Sequence, residues 1–153
     1  MISRNVYELC VKNGLTIAFA ESMTGGSLAY EMIKNPGSSK VISGSIIAYS
    51  IEQKVKLLGL NQKQIELESV VSESVAKQMA TSVRSIMNSD IGVGVTGNAG
   101  PEKQINTKKL EVWIAIDFKG ELITQSISFD HLSRIKAIEQ TVQKTYEMLE
   151  DCF

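Results

Sequence analysis

The first candidate for chemistry in this sequence is a serine that stands close to two glycines. The stretch reads Ala20-Glu21-Ser22-Met23-Thr24-Gly25-Gly26. An apolar run at 15–20 with the length of a β-strand precedes it, and an amphipathic, helix-like segment at 27–34 follows it. A strand that turns into a helix places Ser22 at the carboxyl edge of a sheet, where free N–H groups and the helix dipole attract negative charge. With Thr24 as the predicted N-cap, these are the parts of a serine nucleophile and an oxyanion hole.

A second turn of small residues follows another predicted strand. That strand covers 90–95, and its two glycines indicate close backbone packing. The turn after it reads Thr96-Gly97-Asn98-Ala99-Gly100-Pro101. Ligands of open α/β sheets bind outside the carboxyl ends of the strands, so this turn and the one at Ser22 are predicted to border one crevice. The alternative is that both turns are ordinary caps and turn formers, with Gly25 and Gly26 kept for packing rather than for close approach of a ligand.

Tyr49 and Lys54 are predicted to reach the same crevice. Tyr49 ends the β-branched segment 41–49, which Gly44 interrupts and which is predicted to form either one long strand or two short ones with a bulge. A capping box at Ser50 starts the next helix. A serine with a lysine on one rim suggests a nucleophile with a lysine general base. Burial or a cationic neighbour must then lower the pKa of that lysine from about 10.4 towards neutrality. The alternative is a solvated helix lysine beside a strand-end aromatic residue.

Hydrophobic periodicity predicts the elements that hold these residues. Their order is helix, strand, helix, strand, helix, helix, strand, strand, strand, helix, and an irregular stretch at 61–69 has room for one further helical turn. Residues 111–118 and 121–129 are predicted to form a hairpin, and Asp130 to cap the last helix. The pattern predicts an α/β protein, a three-layer α/β/α sandwich with a mixed, mostly parallel sheet, formed by residues 1–153 as a single domain.

Composition excludes several classes of protein. Hydrophobic residues make up 43% and charged residues 22% of the 153, as in ordinary globular domains. Sixteen basic and 17 acidic residues give a net charge of −1. This balance argues against a nucleic-acid surface, which usually needs a stripe of basic residues. No apolar run approaches the roughly 20 residues that cross a bilayer, and the N-terminus has no signal-peptide pattern. We therefore expect a cytoplasmic protein with neither a nucleic-acid nor a membrane partner.

Cysteine and histidine usage predicts no metal site. Cys10 and Cys152 lie near opposite ends of the chain, on predicted helices, and have no metal-ligand spacing. We interpret both as reduced thiols without a functional role. The single histidine, His131, excludes a site built from several histidines.

Six short blocks in a fixed order, with Lys54 among them, resemble a known family. They are Glu21-Ser22-Met23-Thr24-Gly25-Gly26, Pro36-Gly37-Ser38-Ser39, Ala48-Tyr49-Ser50, Leu57-Leu58-Gly59, Val71-Ser72-Glu73 and Thr96-Gly97-Asn98-Ala99-Gly100-Pro101. The chain resembles the CinA carboxy-terminal-domain family, the nicotinamide-nucleotide amidohydrolases or NMN deamidases, from about residue 1 to 129 and more loosely to the end. The resemblance implies hydrolysis of the carboxamide of nicotinamide mononucleotide to nicotinic acid mononucleotide and ammonia. It also implies a cytoplasmic homodimer whose amidase site holds no metal, and we expect no cofactor.

The resemblance also implies roles for individual residues. Carried over by position, Ser22 is the nucleophile, Lys54 is its base, and Tyr49 orients or relays the proton. The turn at 24–26 would hold the tetrahedral oxyanion. The turn that begins Thr96-Gly97-Asn98 would contact the phosphate or the ribose of the nucleotide.

Several elements of the family pattern are replaced in this chain. Ile51 stands where the family usually has asparagine, Glu102-Lys103-Gln104 replaces Asp-Gly-Gly, Leu110-Glu111 replaces Gly-Thr, and Phe129-Asp130-His131-Leu132-Ser133 replaces Phe-x-Gly-Asp-Arg. The arginine expected to hold the substrate phosphate is absent at its aligned position, and Arg134 lies one residue further on. We expect an intact attacking group with an altered phosphate-binding shell. Two alternatives stay open: a non-catalytic member that binds a nucleotide or a protein partner, and a hydrolase of another small amide or ester.

Overall fold

The computed structural model describes residues 1–98, 111–129 and 132–153. These residues form six α-helices, five strands and a short 3₁₀ turn at Ser38–Lys40. In chain order the elements are α1 (Arg4–Asn13), β1 (Ile17–Glu21), α2 (Ser27–Ile33), β2 (Ile42–Ile47), α3 (Ile51–Leu58), α4 (Gln62–Glu68), α5 (Glu73–Ile86), β3 (Ile91–Gly97), β4 (Glu111–Phe118), β5 (Glu121–Ser128) and α6 (Arg134–Asp151). Within this part of the chain, no helix has the combination of length and apolar character needed to cross a membrane.

The five strands form one mixed sheet in the order β2-β1-β3-β4-β5. Strand β1 pairs in parallel with β2 and with β3, whereas the β3–β4 and β4–β5 pairs are antiparallel. Lys119 and Gly120 connect β4 to β5, which confirms the predicted hairpin. The register between β1 and β2 shifts between Ile17 and Ala18, opposite the segment that contains Gly44, and this confirms the predicted bulge.

Side-chain alternation along β1 divides the core between two layers of helices. Ile17 and Phe19 face the cluster that contains buried residues of α1, α2 and α6. Ala18 and Ala20 face the cluster built from α3, α4 and α5. Because successive side chains of a strand point to opposite faces, one strand serves both helical layers. The predicted α/β/α sandwich is confirmed.

Two glycines in β3 allow helix α5 to lie directly on the sheet. A Cβ atom added at Gly92 would lie 2.2 Å from the carbonyl oxygen of Ala80, and one at Gly94 would lie 2.4 Å from that of Ala76. Both distances are far below van der Waals contact, so any side chain there would push the helix away. The close backbone packing predicted from these glycines is confirmed.

Strand ends differ from the predicted ones by a few residues, and β2 ends at Ile47, so Tyr49 lies beyond the strand and not at its end as predicted. Three predictions about helices also differ from the structure. The irregular stretch contains a full helix, α4, which Asn61 caps by accepting a hydrogen bond from the N–H of Gln64. Helix α2 begins at Ser27 with Gly26 at the N-cap position, so the prediction of a Thr24 cap is wrong. Helix α6 is capped by Ser133, whose Oγ accepts from the N–H of Lys136, so the predicted Asp130 cap is also wrong. Asp130 itself lies outside the described residues.

Gly94→Ala is expected to lower the free energy of unfolding by about 1–3 kcal/mol, because the new methyl group overpacks the contact with α5. Chemical denaturation measures the change. Ser85→Ala on the exposed side of α5 is the control and should stay within about 0.5 kcal/mol of wild type. A Gly94→Ala protein as stable as wild type would contradict the close packing.

Candidate active site

The carboxyl ends of β1, β2 and β3 meet at one edge of the sheet and border a cavity of about 330 Å³. This volume falls within the range of small-molecule sites, about 300–1,000 Å³. The predicted site residues that line the cavity are Ser22, Tyr49, Lys54, Thr96, Gly97, Asn98 and Arg134. The other lining residues are Met23, Ser50, Ile51 and Val70. Thr24, Gly25 and Gly26 do not line it.

Ser22 follows the last residue of β1 and is only 4% exposed. Its hydroxyl donates a hydrogen bond of 3.0 Å to the carbonyl oxygen of Val95 in the neighbouring strand β3. The side chains of Ser22 and Lys54 line the same cavity, but no hydrogen bond joins Ser22 Oγ to Lys54 Nζ. Proton transfer between them therefore requires Ser22 to leave its bond to Val95, as catalytic hydrogen bonds often form only when substrate is present.

Lys54 lies one turn into α3 with its side chain turned inward, and it is 2% exposed. Its Nζ donates to the carbonyl oxygens of Ala48 and Tyr49, at 2.8 and 3.0 Å. Burial lowers the pKa of the lysine from 10.5 to about 8. At pH 7 about one molecule in ten then carries a neutral amine. In that form the two carbonyls accept both N–H groups, and the lone pair occupies the remaining direction of the nitrogen.

The N-terminus of α2 is occupied by a carboxylate of the chain itself. Glu21 Oε1 accepts hydrogen bonds from the hydroxyl of Thr24 and from the N–H groups of Gly26 and Leu28, and Oε2 accepts from the N–H of Ala29. The N–H groups of Gly26, Leu28 and Ala29 at the start of α2 are therefore already bound to Glu21 and are not left for the charge of a substrate. Gly25 and Gly26 have φ values of +58° and +97°, so the shape of the turn accounts for both glycines.

The turn at Ser22 has other donors for an oxyanion. The N–H of Gly25 donates to the carbonyl of Ser22 at 3.0 Å and closes a four-residue turn. Among the described residues, the N–H groups of Met23 and Thr24 have no hydrogen-bond acceptor. They directly follow Ser22 in the chain, and Met23 lines the cavity. The N–H groups that are left for an anionic ligand beside Ser22 therefore belong to the turn and not to the helix.

Thr96, Gly97 and Asn98 form the opposite wall of the cavity. Thr96 is 1% exposed and donates its hydroxyl proton to the carbonyl of Val70 at 2.7 Å, so its oxygen is left as an acceptor for a ligand. A Cβ atom at Gly97 would lie 2.6 Å from Val112, which explains the glycine by packing. The N–H of Asn98 donates to the carbonyl of Glu111. Residues 99–110, with the replaced Glu102-Lys103-Gln104 and Leu110, lie outside the described part.

Arg134 and Tyr49 meet at the rim. The guanidinium of Arg134, the first residue of α6, donates to the hydroxyl of Tyr49 at 2.7 Å. The described lining residues thus include two cations, Lys54 and Arg134, and no acidic side chain. Such a lining favours an anionic ligand. In the described part of the chain, no cluster of three metal-binding side chains is present, and His131 lies outside that part.

Two residues of the site were missed by the sequence interpretation. Val70 directly follows the irregular stretch at 61–69, and its carbonyl accepts a hydrogen bond from the hydroxyl of Thr96. Glu21 is an acidic residue at the end of an otherwise apolar strand, six residues before the first residue of helix α2. That unusual position was a signal, since a charge at the end of a buried strand needs a specific partner.

The fold and the cavity define an α/β protein with a serine and a buried lysine at the carboxyl edge of a mixed sheet. Comparison with known proteins gives the family. The family model for the CinA C-terminal domain matches residues 1–153. The chain belongs to this family.

Individual relatives agree with this result. A CinA-like protein of Gemmatimonas aurantiaca is 42% identical over 118 residues, which cover 74% of this chain and 27% of that protein. One from Flavobacterium psychrophilum is 37% identical over 143 residues, covering 93% and 34%. The crystal structure of a competence-damaged protein (CinA) superfamily protein from Escherichia coli has a TM-score of 0.94 at 26% identity, covering 100% of this chain and 91% of that one. The chain spans about a third of the length of the curated relatives it matches.

The lowered pKa of Lys54 predicts a pH-dependent stability. Between pH 8 and 10.5 the folded protein has lost the lysine proton while the unfolded chain still binds it, so the free energy of unfolding should rise with pH. The rise is at most about 1.4 kcal/mol per pH unit. Chemical denaturation of wild type and Lys54→Met across this pH range measures the rise as the difference in free energy of unfolding between the two proteins.

Lys56→Met is the matched control, because Lys56 lies on the exposed side of the same helix. Its difference from wild type should not change over this pH range. A wild-type-minus-Lys54→Met difference that is flat above pH 8 would show that the lysine has an ordinary pKa.

Proposed function

We propose that this protein hydrolyses the carboxamide of nicotinamide mononucleotide, with Ser22 as nucleophile and Lys54 as general base. The observation that carries the proposal is the buried Lys54 amine, with a pKa of about 8, in the same cavity as Ser22. A lysine whose pKa is close to the working pH can both accept and return a proton. Membership of the CinA family supports the choice of substrate through the resemblance described above.

The proposed reaction has two halves. Ser22 Oγ gives its proton to the neutral Lys54 amine and bonds to the carboxamide carbon, and the developing oxyanion accepts from the N–H groups of Met23 and Thr24. The C–N bond then breaks as Lys54 delivers its proton to the departing ammonia. A water molecule gives a proton to Lys54 and attacks the resulting ester. The carboxylic acid leaves as Ser22 recovers the proton.

Substrate recognition is assigned to the rim and the opposite wall. A guanidinium is a group that binds phosphate through charge-assisted hydrogen bonds, and that of Arg134 lies at the cavity, where it donates to the Tyr49 hydroxyl. Thr96 offers an acceptor, which suits a ribose hydroxyl or the carboxamide N–H₂ better than a phosphate. Tyr49 thus supports the arginine with its hydroxyl, while its carbonyl accepts from Lys54.

The remaining expectations concern the whole protein and stay predictions. They are a cytoplasmic location, a homodimer, a single domain over 1–153 and the absence of a cofactor. The relatives that match are about three times longer than this chain, so their other parts contribute nothing to the present proposal.

Ammonia release from nicotinamide mononucleotide tests the reaction. Ser22→Ala should lower kcat by at least about 10³-fold and Lys54→Met by about 10²–10⁴-fold, because one removes the nucleophile and the other its base. The kcat/KM of wild type should rise with pH up to about 8, where Lys54 becomes neutral. Lys56→Met is the control with unchanged rate.

Unchanged ammonia release in both variants would overturn the serine mechanism. Calorimetric binding of the nucleotide without any turnover by wild type would instead favour the non-catalytic alternative. Turnover of other small amides, without turnover of nicotinamide mononucleotide, would favour a hydrolase of another small amide or ester.

The proposed phosphate contact predicts a substrate-dependent loss. Arg134→Gln should lower kcat/KM about 10- to 100-fold for nicotinamide mononucleotide, because a charge-assisted hydrogen-bond pair is lost. For nicotinamide riboside, which lacks the phosphate, the same substitution should lower kcat/KM less than about 3-fold. Lys136→Gln on the exposed face of α6 is the control. Equal losses for both substrates would contradict a phosphate-binding role.

A further inference from the structure

Glu21 is a fully buried carboxylate directly before the proposed nucleophile, with 0% of its surface exposed. Five donors surround it. They are the hydroxyls of Thr24 and Ser45, both at 2.8 Å, and the N–H groups of Leu28 at 2.9 Å, Gly26 at 3.1 Å and Ala29 at 3.2 Å. The donors belong to the turn, to α2 and to β2. One side chain therefore connects three elements around Ser22.

This arrangement does more than cap α2. A serine, threonine or aspartate at the N-cap position would satisfy the helix from the surface, and here that position is Gly26. A carboxylate inside the protein has to be compensated by donors on all sides, which is a costly alternative for the same capping task. The gain from the buried carboxylate is the additional connection to Thr24 and to Ser45 of β2.

Because Glu21 directly precedes Ser22, the contacts that fix Glu21 also restrict the position of Ser22. The backbone of Glu21 is paired with β2 opposite Ile47, and its carbonyl accepts from the N–H of Ala48. Since the side chain is also held by hydrogen bonds, both the backbone and the side chain of the residue before Ser22 are fixed. The Ser22–Gly25 turn then closes over Thr24, whose hydroxyl is bound to the same carboxylate.

The carboxylate also decides which donors remain for a ligand. It accepts from the N–H groups of Gly26, Leu28 and Ala29, while those of Met23 and Thr24 have no acceptor in the described part of the chain. An incoming anion is thereby kept from the helix N-terminus and left with the donors beside the nucleophile. Preorganised donors of this kind act on charge that develops in the transition state.

We propose that Glu21 is a positioning residue that holds the Ser22–Gly25 turn in its reactive shape and reserves the N–H groups of Met23 and Thr24 for the oxyanion. The proposal rests on the function proposed above. We therefore expect a change at Glu21 to lower kcat rather than to raise KM, since Arg134 and Thr96, the residues proposed to bind the nucleotide, lie on other elements.

Glu21→Gln tests the proposal, because the amide N–H₂ would face donors where the carboxylate accepts. We expect kcat for ammonia release to fall at least 10-fold and KM to change less than 3-fold. Glu21→Asp, which keeps the charge but shortens the side chain, should restore part of kcat. Thr24→Val removes a single donor and keeps the shape of the side chain, so it should show a smaller loss in the same direction and replaces Glu21→Gln if that protein does not fold.

Met32→Ala is the control for general destabilisation. Met32 is fully buried near the opposite end of α2 and makes none of the contacts to Glu21. At temperatures where both variants are folded, Met32→Ala should retain kcat while Glu21→Gln does not. Losses of kcat that follow thermal stability equally in both variants would reduce Glu21 to a structural role and overturn the proposal.

Labelling of Ser22 by a fluorophosphonate separates this proposal from the choice of substrate. The label reports the reactivity of Ser22 whether or not the nucleotide is hydrolysed. Wild type that is labelled but releases no ammonia would overturn the substrate, and slower labelling of Glu21→Gln than of Met32→Ala would still support the role of Glu21. Equal labelling rates of these two variants, or a wild-type Ser22 that neither reacts nor hydrolyses, would overturn the role of Glu21.

Discussion

The site depends on one constraint: the amine of Lys54 is enclosed at the end of β2 and held by two backbone carbonyls. The two carbonyls belong to Ala48 and Tyr49, which lie between the end of β2 and the start of α3, and Ser50 caps that helix. The chain thus reverses within a few residues, and Lys54 returns to the strand end from which its helix started. Burial without an acidic partner disfavours the charged amine, and this is the physical origin of its lowered pKa of about 8.

Negative and positive charge are kept apart on the two sides of β1. The carboxylate of Glu21 lies under α2, while Ser22 faces the cavity that contains Lys54. Alternation of side chains along an extended backbone produces this separation. A carboxylate next to Lys54 would raise the pKa of the amine and prevent its use as a base, so the separation matters for the chemistry as much as for packing.

The family resemblance and the structure meet at Arg134. The chain lacks arginine at the aligned family position, yet the next residue begins α6 and its guanidinium reaches Tyr49 at the cavity rim. The side chain of the first residue of a helix points beyond the N-terminal end of the helix. It can therefore reach the rim of the cavity although it lies one residue after the aligned family position. The chain belongs to the CinA C-terminal domain family.

The sequence alone determined most of the helices and strands and singled out Ser22 and Lys54 as candidates for chemistry. Periodicity, the caps at Ser50 and Ser72 and the β3 glycines follow local or pairwise rules, so the sandwich, the hairpin and the tight α5 contact could be predicted. Local patterns could not show that Glu21 also accepts from Ser45 on β2, because the two residues are 24 positions apart. Nor could they show the contact between Tyr49 and Arg134, 85 residues apart, or that Ser22 Oγ rests on Val95 rather than on Lys54. Only tertiary structure decides these contacts, because hydrogen-bond partners far apart in the chain are selected by how the layers pack and not by the residues on either side.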